Sequence, residues 1–258
     1  MKIWLNDGLV SDVTLPAIGG GWLLGDGVFE SMRTYGGIPF ALQRHLERLR
    51  QNADVMQFAQ PNWEMITLGV NEVIHANPCQ PYGRLRITLL GDGNTVITHT
   101  PFIDDGKALK LTTADSKQLS TRATAGLKTI SYAENSLALR KARLHGFDDA
   151  IFVNEKGNVV ETALANVVWF DDGSWWTPSA EDGCLPGITR ALLIENFGVR
   201  EGSVTPTSLL QVNAVAITSS VREVIAIARY ESKLFGASKQ LEDLRGSFHA
   251  WVLGNLGA

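Results

Sequence analysis

Lysine, acid and anion-binding chemistry recur at separated points of the chain. Lys128 lies in Ala125-Gly126-Leu127-Lys128-Thr129-Ile130-Ser131-Tyr132, whose composition predicts a short strand. Side chains alternate across a strand, so Lys128 shares a face with Ile130 and Tyr132. Lysine is rarely buried without a partner; a desolvated one has a lowered pKa, and its neutral amine attacks carbonyls. The plain alternative is a strand-edge lysine whose ammonium reaches water. Glu161 is the one charge in Val159-Val160-Glu161-Thr162-Ala163-Leu164-Ala165-Asn166-Val167-Val168. It either caps a strand end in solvent or meets a cation inside.

An anion site is also legible. Leu185-Pro186-Gly187-Ile188-Thr189-Arg190 precedes the helical run Ala191-Leu192-Leu193-Ile194. Free backbone N–H groups at Gly187, Ile188 and Thr189 would bind an anion at the helix start, and Gly187 permits close backbone approach. Thr218-Ser219-Ser220 ends an apolar strand and adds hydroxyls, the bland alternative being a serine-rich turn. Arg48 follows His45 on a predicted helix, where arginines are usually solvated. These pieces suit pyridoxal phosphate, which needs a lysine for its aldehyde, an acid at its ring nitrogen and an anion site for its phosphate. Lys128, Glu161 and the helix start at Gly187 supply these in that order. The carboxylate keeps the pyridinium protonated, so that the ring withdraws electrons from the substrate's α-carbon.

Other chemistries find no support. The five histidines fall in no nucleophile triad or metal spacing, so no metal site is expected. Gly25-Asp26-Gly27 and Gly91-Asp92-Gly93 are turn chemistry and not a dinucleotide fingerprint, and neither a P-loop nor a zinc motif occurs. A net charge of −4 predicts neither nucleic acid nor an anionic membrane surface as partner. Small anionic substrates would instead need local arginines, such as Arg84, Arg86 or Arg222, although ordinary strand-surface charges are as good a reading of these. Cys79 and Cys184 stand alone, which fits a reducing compartment. Met1-Lys2-Ile3-Trp4-Leu5-Asn6-Asp7 meets acid too early for a signal peptide, and no apolar run approaches the ~20 residues of a membrane helix. A soluble, cytoplasmic protein is expected.

The elements that must position these residues follow from periodicity. The length of 258 residues, with 45% hydrophobic and 19% charged content, suits one large or two smaller globular domains. Ile3-Trp4-Leu5 and Leu9-Val10 read as a hairpin about Asn6-Asp7-Gly8. Gly19-Gly20-Gly21 and Gly25-Asp26-Gly27 flank Trp22-Leu23-Leu24. A strand over 28–35 turns at Gly36-Gly37 into a return strand over 38–42. Helices are predicted over 43–57, with Leu46, Leu49 and Ala53 on one face, and over 61–76. Strands follow at 84–90 and 96–99. Asp104-Asp105-Gly106 and the polar run 114–122 read as a domain junction, dividing residues 1–113 from a larger part, 114–258, that carries Lys128. Beyond it come a helix over 133–145 stopped by Gly146, hairpins about 154–157 and 171–173, a helix from Gly187 to Gly198, and strands at 214–218 and 223–230. Strands outnumber helices and hairpins lie close together, which points to an α+β protein of two subdomains.

The motifs, in this order, resemble the class IV pyridoxal-phosphate enzymes, or fold type IV, across nearly the whole chain. That family includes branched-chain aminotransferases, D-amino-acid aminotransferases and 4-amino-4-deoxychorismate lyases. Gly25-Asp26-Gly27-Val28-Phe29-Glu30 is similar to its N-terminal glycine segment, and His45-Leu46-Glu47-Arg48-Leu49 to its His-x-x-Arg-Leu helix. Lys128, with the following helix and Gly146-Phe147-Asp148-Asp149-Ala150-Ile151, resembles the Schiff-base segment. Gly157-Asn158-Val159-Val160-Glu161 with Asn166, and Leu185-Pro186-Gly187-Ile188-Thr189-Arg190, resemble two further family elements.

The resemblance implies the fold, two α/β subdomains with the cofactor between them, usually in a homodimer. It implies that Lys128 carries the cofactor as a Schiff base and moves protons, and that Glu161 pairs with the ring nitrogen. Arg48, Ile188, Thr189 and Ser220, with Ser219, would hold the phosphate at the helix start of Gly187. Tyr132 would lie near the ring oxygen and Leu185 against the ring. Ser219-Ser220 departs from the Gly-Thr of branched-chain aminotransferases. The short chain, Gly126-Leu127-Lys128 and Gly83-Arg84-Leu85-Arg86-Ile87-Thr88 resemble the lyases most. That implies conversion of 4-amino-4-deoxychorismate to 4-aminobenzoate and pyruvate, as in folate biosynthesis. The alternative is an aminotransferase of branched-chain or D-amino acids. A non-catalytic ligand-binding protein would have lost the lysine or the acid, and both are present.

Overall fold

Contacts partition the chain into two units, one holding residues up to Asp104 together with Leu127–Tyr132, the other Asp105–Gly126 and Ala133–Gly254. The computed structural model describes residues 1–11 and 20–256; Gly19, of the first glycine run, lies outside the described residues.

The first unit is built on strands β1 (Ile3–Leu5), β2 (Gly8–Val10), β3 (Gly27–Tyr35), β4 (Ile38–Pro39), β5 (Tyr82–Leu90) and β6 (Thr95–Pro101), with helices α1 (Gly20–Leu24), α2 (Leu42–Val55) and α3 (Trp63–Ala76). The strands form an antiparallel sheet in the order β2-β1-β6-β5-β3-β4. β3 pairs with β5 from Gly27↔Leu90 to Tyr35↔Tyr82 and is buried along nearly its whole length. Val28 and Met32 of β3 pack with Leu46, Leu49 and Ala53 of α2 and with Ile66, Val70 and Val73 of α3 in one core. Beside that apolar stripe α2 buries a polar one, His45, Arg48 and Asn52, at the same helical spacing. Buried polar groups need partners, so this second stripe must meet polar side chains across the helix face. The predicted return strand over 38–42 shrinks to Ile38–Pro39, because Ala41 adopts φ 50° and turns the chain into α2. Asn62 caps α3, its Oδ1 accepting from the Glu64 and Met65 N–H groups at 3.0 and 3.3 Å.

The predicted strand around Lys128 is a single bridge, Val28↔Thr129. The Lys128 carbonyl accepts from the Phe29 N–H at 2.9 Å, and the Ile130 N–H donates to the Gly27 carbonyl at 2.8 Å. The extended run then stops, because the Tyr132 N–H bonds the Ile130 carbonyl at 2.7 Å in a three-residue turn. Within this segment Thr129 is buried, Lys128, Ile130 and Tyr132 are half-buried and Ser131 is exposed. These bonds place Leu127–Tyr132 with the first unit, although a division of the chain at residue 113 leaves the segment in its second half.

The second unit comprises β7 (Leu109–Lys117), β8 (Asp149–Val153), β9 (Val159–Thr162), β10 (Asn166–Asp171), β11 (Ser174–Pro178), β12 (Arg200–Gly202), β13 (Ala214–Ser219), β14 (Glu223–Tyr230) and β15 (Lys233–Leu234). Their order is β12-β11-β10-β13-β14-β7-β8-β9, with β15 on β14. The sheet is mixed, since β7 runs parallel to both β8 and β14. Its helices are α4 (Ala133–Leu144), α5 (Ile188–Phe197), α6 (Pro206–Leu209) and α7 (Lys239–Gly254). Asp172 and Gly173, at φ 46° and 72°, make the tight turn expected between β10 and β11. The polar run 114–122 is only partly a connection, because β7 continues through Lys117. Helix α7 has no counterpart among the predicted elements, although Leu241, Leu244, Phe248 and Val252 recur at helical spacing and form its buried face. The α+β architecture is the one expected.

Gly27 lies under the Lys128 segment. A Cβ there would sit 2.8 Å from the Leu89 carbonyl oxygen and 2.9 Å from Ile130 Cδ1. Gly27→Ala should therefore destabilise the protein by about 1–3 kcal/mol through overpacking. Thermal denaturation checks this, and an unchanged melting temperature would contradict it.

Candidate active site

Phe29 of β3 is a buried ring around which the first unit gathers several candidate side chains. Lys128 Nζ lies 4.5 Å from the ring centroid and the Arg86 guanidinium 3.6 Å from it. Tyr132 meets the same ring edge-on, with centroids 5.4 Å apart. Cations over an aromatic face are stabilised by its quadrupole, most strongly when desolvated. Arg86 Nε donates to Thr88 Oγ1 at 3.1 Å. Burial pushes its pKa down to about 10, with Tyr132 and Arg84 as the ionisable neighbours acting on it. It still carries its charge at neutral pH and forms no salt bridge among the described residues. A half-buried guanidinium of this kind is suited to an incoming carboxylate. Arg84 lies on the same face of β5 but is exposed.

Arg48 is oriented by a residue that sequence reasoning did not assign to the site. Glu30 is fully buried and receives Arg48 Nε and Nη2, each at 2.7 Å, one on each carboxylate oxygen. His45 Nδ1 approaches Glu30 Oε2 at 2.6 Å. Burial alone would raise the pKa of Glu30, but the charge of Arg48 and the hydrogen bonds from Arg48 and His45 outweigh it and leave the value at about 2. Burial pushes His45 below its ordinary 6.5 despite Glu30, with Arg48 and Lys128 adding to the effect. His45 is thus neutral at pH 7, donates Nδ1–H to the carboxylate and leaves Nε2 buried without a partner. Arg48 therefore supplies the positive charge that Glu30 meets. The available signal was the His45-x-x-Arg48 spacing, which puts both on one helix face opposite a lone acid in an otherwise buried strand.

In the second unit Asn166 ties Glu161 to the start of α5. Glu161, on β9, is half-buried; its Oε2 accepts from the Leu185 N–H at 3.0 Å and from Asn166 Nδ2 at 3.5 Å. Asn166 Nδ2 also donates to the Leu185 carbonyl at 2.9 Å. Its Oδ1 lies so close to Gly187 that a Cβ there would stand 2.0 Å away, so only glycine fits. Gly187 starts α5 without a side-chain cap, and Ile188 and Thr189 are buried. Thr189 Oγ1 has no hydrogen-bond partner, and neither has Thr218 Oγ1 at the end of β13. An uncapped helix start with a buried, unpartnered hydroxyl fits a phosphate group. Ser220 is buried, Ser219 half-buried and Arg222 exposed. Among the described residues no cluster of His, Cys, Asp and Glu could hold a metal ion, and no helix is long and apolar enough to cross a membrane.

Residues 27–230 match the family model of amino-transferase class IV. The chain belongs to the class IV aminotransferases. Its members are enzymes that depend on pyridoxal 5′-phosphate, and that is the cofactor of this chain. A putative branched-chain-amino-acid aminotransferase of Methanocaldococcus jannaschii is 27% identical, with 95% of this chain and 92% of that one covered. The aminodeoxychorismate lyase of Bacillus subtilis is also 27% identical, over 88% of this chain and 85% of that one. In fold, the crystal structure of a branched-chain aminotransferase from Thermoproteus uzoniensis with norvaline is similar at a TM-score of 0.92 and 23% identity, covering 98% of this chain and 95% of that one.

Removing the Glu30 charge tests the orientation of Arg48. Breaking a buried ion pair on one side costs about 3–5 kcal/mol, so Glu30→Gln should lower stability at pH 7 by that order. The wild-type advantage rests on a carboxyl whose pKa is depressed on folding from 4.5 to about 2. It is therefore fully present above the upper value and lost as pH falls through the interval. Urea denaturation of both proteins across that range should show the difference closing at low pH; parallel curves would contradict it.

Proposed function

We propose that this enzyme is a lyase that converts 4-amino-4-deoxychorismate to 4-aminobenzoate and pyruvate. The observation that carries this reading is Arg86, half-buried beside Lys128 and Phe29 with no acidic partner among the described residues, with Arg84 on the same strand face. A substrate with two carboxylates suits such a pair. The Gly126-Leu127-Lys128 and Gly83–Thr88 segments and the Bacillus subtilis relative support it.

When bound, the cofactor supplies an electron sink for the bond-breaking step. The residue roles follow as part of the proposal. Lys128 Nζ would hold the cofactor at its aldehyde and would take the proton from the amine-bearing carbon of the substrate. Glu161, fixed by the Leu185 N–H and Asn166, keeps the proton on the ring nitrogen. Arg48, the N–H groups of Ile188 and Thr189, and the hydroxyls of Thr189, Ser219 and Ser220 hold the phosphate. Tyr132 borders the ring oxygen and Leu185 packs on the ring. Arg86, with Arg84 and Arg222 as further cations, orients the substrate carboxylates. Loss of the proton would be matched by cleavage of the ring-carbon–oxygen bond with its electron pair leaving on oxygen; the six-membered ring becomes aromatic, and the departing enolate takes a proton at its methylene carbon to become pyruvate. Incubation of cofactor-loaded enzyme with aminodeoxychorismate should release 4-aminobenzoate and pyruvate in equal amounts, and Lys128→Ala should abolish both. Absence of product from the loaded wild type would refute the lyase reading.

The similarity to the Methanocaldococcus jannaschii protein favours the second reading, an aminotransferase acting on branched-chain or D-amino acids. It differs in that an amino acid alone would pass its amino group to the bound cofactor stoichiometrically, which absorbance of the cofactor reads. We also propose a cytoplasmic homodimer. Trp22, Leu23 and Leu24 of α1 expose 42%, 67% and 79% of their surface, which a second copy would cover. Sedimentation should give twice the chain mass; a monomer at micromolar concentration would contradict this.

A further inference from the structure

The hairpin between β13 and β14 carries a backbone conformation that its sequence does not favour. Ser219 pairs with Glu223 across it, which leaves Ser220, Val221 and Arg222 as the loop. The Arg222 N–H bonds both the Ser219 carbonyl and Ser219 Oγ, each at 3.2 Å. A residue that returns a tight loop to its strand in the left-handed region is where glycine is favoured. Here that residue is Glu223, with φ 56°. A non-glycine residue held there is strained, and such strain persists where surrounding structure imposes it.

What imposes it lies on α7. The Glu223 side chain is only 10% exposed, and His249 Nδ1 donates toward both of its oxygens, at 3.0 and 3.1 Å. One turn earlier on the same helix face, Arg245 Nε donates to the Val224 carbonyl at 3.2 Å. The helix itself is seated by Leu241, Leu244, Phe248 and Val252. The base of the hairpin is therefore gripped at consecutive residues by the C-terminal helix. Glycine at 223 would relieve the backbone and release the grip.

We propose that Glu223 and His249 are positioning residues that fix the Ser219–Arg222 loop from the C-terminal helix, so that the hydroxyls of Ser219 and Ser220 are held ready for the cofactor's phosphate. This rests on the reading of those serines as phosphate ligands. Arginine and histidine of α7 thereby act on the cofactor only through the loop. The substitutions Glu223→Gly and His249→Ala free the loop, while His249→Gln keeps a side-chain N–H donor.

The test uses the full-length apo-protein, equilibrium dialysis against pyridoxal phosphate and against pyridoxal, which lacks the phosphate, and thermal melting. Glu223→Gly and His249→Ala should weaken pyridoxal phosphate binding about tenfold and leave pyridoxal binding unchanged. Glu223→Gly should not lower the melting temperature, because it relieves the strained backbone. His249→Gln should restore most of the affinity. A lowered melting temperature with unchanged affinity for both ligands would mark a merely structural pair and overturn the proposal. Ser220→Ala separates the layers. If it weakens pyridoxal phosphate binding and Glu223→Gly does not, the latch is wrong and the phosphate reading stands. If neither does, both are wrong.

Discussion

A carboxylate wholly removed from water organises the first unit. Glu30 sits in the middle of a strand that is buried almost throughout, and an unpaired charge there would be prohibitive. Its two oxygens are met by the fork of Arg48 and by His45, so helix and strand must be placed to within hydrogen-bond tolerance. That requirement fixes where Arg48 points. It also brings the neighbouring residue Phe29 to a set position, and with it the ring over which Lys128 and Arg86 lie. The pair is a weak source of stability compared with a packed apolar core, but a strong source of geometry. The arginine supplies a full positive charge to Glu30 at neutral pH, whereas His45 is kept neutral by its burial.

The second unit solves a related problem with a neutral side chain. Asn166 contacts the Glu161 carboxylate, the Leu185 carbonyl and, at its oxygen, the Gly187 backbone. One amide therefore sets the distance between an acid on a strand and the start of a helix. Amide geometry is planar and its donors and acceptor are fixed, which makes it a better spacer than a flexible charged residue. The uncapped start of α5 and the unpartnered Thr189 hydroxyl are the counterpart of this arrangement, since a self-satisfied helix end would have nothing to offer an anion.

Much of this was legible from residue order. The helix from Gly187 to Gly198 is bounded by a residue that permits close approach and one at φ 67°, and both signals are local. The hairpins around Asn154 and Gly173 are equally local. Lys128 was legible as an odd residue, but its environment was not, because a strand was expected where a single bridge and a tight turn occur. Glu30 was missed as a partner of Arg48 for a related reason: residues 18 apart meet only through sheet-on-helix packing, which no periodicity encodes. Helix α7 shows the opposite case, a periodic pattern present in the sequence and passed over. The short strand at Ile38–Pro39 depended on one left-handed alanine, a conformation that alanine does not advertise.

The paired stripes of α2 have a mechanical consequence. Leu46, Leu49 and Ala53 on one line and His45, Arg48 and Asn52 on the next are both enclosed. Rotating the helix by one residue, about 100°, would drive a guanidinium into the apolar core and bring a leucine against a carboxylate. Polarity thus acts as a keyway: the helix has one admissible angle about its axis, where a purely apolar face would tolerate several. Insertions or deletions in the Gly36–Ala41 connection cannot be absorbed by turning α2, and must be taken up before its first turn.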